Sequence, residues 1–338
     1  MEKKHKWLNY ILPALGRDLG VGFFFSFFLI SSCHREQASL SEAELARRDS
    51  LALHVAVMPV ADCLPLYYAQ SMGLFDKEQL DVRLHFFNST ADCDTALLNR
   101  VCQVAYTDLF RLRAHNICDS AHVLALLDGR LYLVSARGKR IRSTKHLKER
   151  MVALNRHSTA DYWSDIIVEE AGLQPSDIYR PQINDIRLRT TMLIDELVDA
   201  AILLEPYASW AALKGHRIIA QTDSLPLPVA CFAIGDSLQR DAHRCQQMTK
   251  LLKVYRTAEK ALQQEVCTDS LRSLFVRQYS LPDEVADSLA LRQPFASCSD
   301  KATQASQKAE RSLLTSHFSL STAFGIVEKW WTKRHSYN

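Results

Sequence analysis

The distribution of apolar and polar positions between residues 51 and 136 predicts short strands separated by helix-length spacers. LALHVAVMP (51–59) alternates, carries β-branched residues and stops at Pro59, so it predicts a strand. Residues 64–72 predict a helix, with Pro65 in its first turn and Gly73 past its end. DVRLHFF (81–87) predicts a second strand, and Asp92 an N-cap for a helix over 93–100. Residues 101–106, 122–127 and 130–136 supply three more short strands. The order β-α-β-α-β implies a largely parallel sheet flanked by helices.

The pattern then repeats in kind. MVALN (151–155) predicts a strand, 159–171 a helix closed by Gly172, and 177–183 a strand. A helix over 190–197 leads to the buried strand 200–204, and 207–213 forms a helix ending at Lys214-Gly215. Strands at 217–220 and 229–234 follow, joined by the stiff LPLP of 225–228. A long helix runs from Asp236 to about residue 265, and 269–338 is helical with breaks at Pro282 and Pro294. No low-complexity tract or short repeat stands out. Two α/β units in one chain predict two lobes with a cleft between them.

The amino-terminal segment changes this picture. Leu19–Ile30 is a Phe-rich apolar run of 12 residues behind Lys3, Lys4, Lys6 and Arg17, and it ends at Ser31-Ser32-Cys33. A helix needs about 20 apolar residues to span a bilayer, so the run predicts a cleaved signal over 1–32. A small-small-Cys ending predicts lipid on Cys33, with roughly 0.8 kcal/mol of anchoring per buried methylene. Residues 33–50 are polar and predict a tether. The body beyond it is expected to be exported and held to a bacterial membrane as a monomer.

Two of the chain's three net positive charges reside in residues 1–32, so the body carries no basic excess that would suit nucleic acid. Of nine cysteines none forms C-x-x-C, and no histidine lies at ligand spacing from a pair. No metal site and no cofactor is expected. Cys63 and Cys93 each follow an Asp at a predicted helix start, and in a parallel sheet two such starts can be neighbours. They predict either a disulfide or two thiols of lowered pKa.

In open α/β sheets ligands sit beyond the carboxyl ends of the strands. That rule selects the loops 60–65, 88–94, 106–108, 155–162 and 204–207. They contain the candidate ligand contacts Asp62, Leu64, Asp92, Tyr106, Thr107, Asp108, Asn155, His157, Ser158, Thr159, Glu205 and Tyr207, with Asn184 in the strand-helix loop before 190. Asp62 equally suits a helix cap, residues 106–108 a turn, and His157 plain surface. Arg189 is expected to pair with Asp195 or Asp199.

Residues 62–82 (DCLPLYYAQSMGLFDKEQLDV) resemble the opening signature of periplasmic solute-binding proteins of the nitrate, sulfonate, taurine and thiamine-precursor group. Val104-Ala105-Tyr106-Thr107-Asp108 resembles that family's "VDxAxTD" loop, although Cys102-Gln103 departs from its preamble. Val198-Asp199-Ala200-Ala201 and Glu205-Pro206-Tyr207-Ala208 resemble its "VDAAxxxEPYA" segment. The resemblance implies a bilobed type 2 periplasmic-binding-protein-like fold, two doubly wound sheets with a ligand cleft and a hinge. Lobe 1 would comprise 51–143 plus 230–338, and lobe 2 residues 144–229. It implies capture of a small molecule and delivery to an ABC permease, with no catalysis. The acidic excess of the cleft loops favours an amine-bearing solute such as a thiamine-precursor-like pyrimidine. A tethered sensor on the same fold is the alternative, and an enzyme of the fold a more distant one.

Overall fold

Nine strands form two sheets in the computed structural model, which describes residues 41–114, 121–127, 129–222, 225, 229–235, 241–264, 268–292 and 317–335. The signal run, Cys33, Cys118, Cys267 and Cys298 lie outside the described residues. In chain order the strands are β1 (Leu53–Val57), β2 (Val82–Phe86), β3 (Val104–Thr107), β4 (Ala121–Leu127), β5 (Tyr132–Ser135), β6 (Val152–Ala153), β7 (Ala200–Leu203), β8 (Arg217–Gln221) and β9 (Ala230–Gly235). The first sheet has the order β2-β1-β3-β9-β4 and the second β6-β7-β5-β8. Both sheets lie in the compact unit formed by residues 46–338.

The topology has a simple physical reason. β1 pairs parallel with β2 and β3, and β6 with β7, so these strands end on the same side of their sheets. β5 and β9 are antiparallel to their neighbours. Each is the first strand after the chain passes from one sheet to the other, so it starts where the others end. Strand 132–135 therefore belongs to the second sheet, and the passage lies between residues 127 and 132. The expected boundary at 143 is too late, because an apolar run shows that a strand is buried but not in which sheet. The expected strand over 177–183 is also reduced, to single bridges from Tyr179 to Met151 and from Gln182 to Leu154.

The helices are α1 (Glu42–Leu51), α2 (Leu64–Ser71), α3 (Leu74–Lys77), α4 (Thr90–Leu98), α5 (Leu109–Ala114), α6 (Thr159–Glu170), α7 (Ile186–Ile194), α8 (Tyr207–Leu213), α9 (Ala242–Gln264), α10 (Thr268–Arg277), α11 (Asp283–Arg292) and α12 (His317–His335). Gly73 sits between α2 and α3 at φ 62°, a left-handed backbone that disfavours other residues. One apolar cluster fills the first sheet and extends to Tyr207, Ala208 and Trp210 of α8. A second lies around β5, β6 and α6, with Leu133, Leu154 and Trp163 buried. No helix among the described residues is long and apolar enough to cross a membrane.

Candidate functional site

The carboxyl ends of β1, β3, β6 and β7 meet at one seam between the sheets, where the loops selected from the sequence are joined by hydrogen bonds. Ala61 N–H donates to the Glu205 carbonyl at 2.9 Å, and Ile186 N–H to the Asn88 carbonyl at 3.0 Å. Asn155 Nδ2 donates to Thr90 Oγ1 at 3.1 Å. Each bond links a residue of the first-sheet half to one of the second.

On the first-sheet side, Asp62 precedes α2 and accepts from the Tyr106 hydroxyl at 3.0 Å. Burial raises the Tyr106 hydroxyl's pKa well above the usual phenol range, and the nearby Asp62 charge adds to the effect. Gly129, in the passage between the sheets, lies so close that any side chain there would overlap the Asp62 carboxylate. Thr107 donates to Asp94, which also accepts from Arg111 Nε at 2.6 Å, and all three are buried. Asp108 caps α5 by accepting from the N–H groups of Phe110 (3.0 Å) and Arg111 (3.1 Å). It also accepts from the Thr159 N–H across the seam. Burial outweighs the Arg111 guanidinium and these N–H donors and pushes the Asp108 carboxyl up to about 7.

On the second-sheet side, His157 turns the chain through a left-handed backbone, φ 56°. Ser158 caps α6, accepting from Asp161 N–H at 3.4 Å and donating to the Asn155 carbonyl at 2.7 Å. Thr159 Oγ1 is buried with no hydrogen-bond partner among the described residues. Asn184 accepts from Gln182 Nε2 at 3.2 Å on the exposed side of its loop. The Glu205 carboxylate accepts from the Ser209 N–H (3.1 Å) and hydroxyl (3.0 Å) at the start of α8, and burial raises its pKa. Tyr207 is fully buried, and its hydroxyl donates to the Tyr279 carbonyl at 3.2 Å. Leu64 is buried in the first-sheet core.

Three expectations are corrected. Cys63 and Cys93 are free thiols, and burial raises both pKa values well above normal instead of lowering them. Their helix starts face the core, where desolvation of a thiolate outweighs the helix dipole. Asp92 does not cap α4. Ser89 does, accepting from Asp92 N–H at 3.2 Å while its hydroxyl donates to Asp92 Oδ2 at 2.7 Å. Arg189 pairs with neither Asp195 nor Asp199. Its Nη1 donates to the Asn155 side-chain oxygen and, at 2.8 Å, to the Ile183 carbonyl. Asp199 is instead met by Lys139 at 3.3 Å.

Arg189 and Thr90 are the site residues that sequence reasoning missed, although a signal for Thr90 was present. Residues 89–92 and 158–161 are both Ser-Thr-Ala-Asp. The Ser-x-x-Asp spacing is a helix-start signature. Each copy opens a helix after a strand, one in each half, and Thr90 and Thr159 stand second in their copies. Nothing comparable marks Arg189, which is only 3% exposed although guanidinium groups are rarely buried unpaired. Burial presses its pKa down to about 10, with Asp185 opposing. Its Nε is buried without a hydrogen-bond partner among the described residues.

Residues 60–220 match the model of the family described as NMT1/THI5 like. No curated protein sequence matches the chain. Among solved structures, the chain is similar to the alkanesulfonate-binding protein SsuA from Xanthomonas axonopodis pv. citri bound to MOPS. The two share 16% identity at a TM-score of 0.62, over 77% of this chain and 91% of that one. The periplasmic aliphatic sulphonate binding protein SsuA from Escherichia coli shares 18% at 0.57, over 72% and 83%. The periplasmic nitrate-binding protein NrtA from Synechocystis PCC 6803 shares 14% at 0.59, over 71% and 70%. At such identities the likeness is one of fold.

Proposed function

Starting from a bilobed periplasmic-binding-protein-like fold with an NMT1/THI5-like segment at residues 60–220, we propose that the protein is the solute-binding component of an ABC importer. In this reading it is exported, anchored through lipid on Cys33, and hands a small molecule held at the seam to a permease. Opening and closing of the two halves would admit and retain the solute.

The observation that carries the ligand class is Arg189. A guanidinium buried at the seam, hydrogen-bonded among the described residues to two neutral oxygens and with its Nε without a partner there, calls for a further acceptor. Thr159 Oγ1 offers a second unsatisfied group, at the start of the helix that follows Asn155. The carboxylates that favoured an amine are engaged internally: Asp62 by Tyr106, Asp108 by three N–H groups, and Glu205 by Ser209. An oxyanion-bearing solute fits this arrangement better than an amine-bearing pyrimidine. The similar proteins bind alkanesulfonates, aliphatic sulphonates and nitrate, which supports the same class.

The test is a thermal-shift screen of residues 34–338 against alkanesulfonates, carboxylates, nitrate and aminopyrimidines. An oxyanion-bearing solute is expected to raise the Tm. Arg189→Gln is expected to weaken that solute about tenfold or more, the worth of a charge-assisted hydrogen bond. Stabilisation by aminopyrimidines alone would overturn Arg189 as the anchor. No response to any class would turn the reading toward a tethered partner-binding module.

A further inference from the structure

Helix α12 is the last described element, and it touches both halves of the molecule beside the seam. On the first-sheet side it meets α5. Arg113 Nε donates to Glu328, its guanidinium lies 5.6 Å from the Trp331 ring, and Trp330 packs edge-on to Phe110 at 5.0 Å. On the second-sheet side it meets α6. Trp330 Nε1 and Arg334 Nη1 each donate to Asp165 Oδ2 at 2.9 Å, and Arg334 Nη2 lies 3.1 Å from Asp161 Oδ1. Trp331 packs edge-on to His157 at 5.4 Å, just before α6.

The receiving end is built to hold these groups. Arg180 fixes Asp165 at 2.7 Å and Ser164 at 2.9 Å, and Arg156 Nε reaches Asp161 at 3.3 Å. Asp161 is fully buried and Trp330 nearly so. Beneath the helix, Phe110 of α5 stacks on Tyr162 of α6 with ring centroids 4.8 Å apart. The helices α5 and α6 start at Asp108 and Ser158, the two sides of the seam. Anything that fixes one helix to the other fixes the width of the seam.

We propose that α12 is a strap that fastens α5 to α6 and holds the seam closed through its own contacts. Solute would then pass only in a step that frees Trp330 and Arg334 from Asp161 and Asp165. The strap goes beyond the solute-binding reading, because it makes closure a property of the carboxy-terminal segment and not of the solute alone. Access would be set by whatever loosens that helix.

Hydrogen exchange on the full mature chain, without any solute, tests this separately from ligand binding. The reporters are the amides of Ala61 and Ile186, which donate across the seam and belong to elements other than α12. In Arg334→Ala and Trp330→Ala these amides are expected to exchange about tenfold faster or more, while amides of β1 and β7 keep their protection. Lys329→Ala, on the exposed face of α12, is expected to leave the reporters unchanged. Wild-type exchange at Ala61 and Ile186 in both strap variants would overturn the proposal, as would equal acceleration in Lys329→Ala. If Trp330→Ala also loses protection in β1 and β7, Glu328→Ala, an exposed residue whose partner Arg113 lies on α5, decides. Acceleration confined to the seam supports the strap, and an unchanged rate refutes it.

Discussion

At the scale of single residues, the seam places polar groups where desolvation and hydrogen bonding compete. Asp108 shows the balance most clearly, with its carboxyl pushed from an ordinary 3.8 to about 7 in the folded chain. Below pH 3.8 both folded and unfolded chains hold this proton, and Asp108 contributes nothing. Between 3.8 and about 7 the unfolded chain releases it while the folded chain keeps it, so rising pH destabilises the fold. Above about 7 both are ionised and the penalty is complete, up to about 4 kcal/mol at roughly 1.4 kcal/mol per unit. Asp108→Asn keeps an acceptor for the N–H groups of Phe110 and Arg111 but cannot titrate. The difference in urea-unfolding free energy between variant and wild type is expected to move in the variant's favour from about pH 4 to about pH 8. A difference that stays flat across that range would refute the assignment. Arg189 and Asp108 were not equally visible in the chain. Asp108 stands at a strand end in a family-like motif, whereas Arg189 looks like any arginine on a polar helix until burial is known.

At the scale of elements, two helix starts frame the site, and their caps are its most local determinants. Ser89 and Ser158 each accept from the N–H three residues on. Ser89→Ala and Ser158→Ala are each expected to cost about 1 kcal/mol, read from denaturant midpoints at unchanged slope. Substitution at Ser89 also removes the acceptor-donor exchange with Asp92. Most helices were legible because capping, proline and glycine signals act within one turn: α2, α6 and α8 start where the chain predicts. The start of α4 was misread because an Asp inside the first turn resembles a cap. The Ser three residues earlier holds the extended backbone that a cap needs, φ −139° and ψ 148°.

At the scale of the whole molecule, the proposed lipid anchor and the folded body are separable, although the expected tether ends earlier than residue 50, since residues 46–50 belong to the compact unit and the Ser50 carbonyl accepts from Arg244. Cys33→Ser is expected to move the protein from the membrane fraction to the soluble fraction without changing its Tm. Intact-mass measurement of the wild-type protein should show the added lipid; retention of Cys33→Ser on the membrane would refute lipid anchoring. By itself the chain determined the α/β class, most of the strands and longer helices in their order, and the loops at the carboxyl ends of the parallel strands. Those follow from periodicity and turn chemistry, which act over a few residues. Only the tertiary structure decided which sheet receives β5, that Cys63 and Cys93 remain thiols, and that Arg189 is buried beside Asn155. It also decided that α12 lies across α5 and α6. Each of these depends on residues far apart in sequence meeting in space, where burial and partner geometry fix charge, pairing and contact.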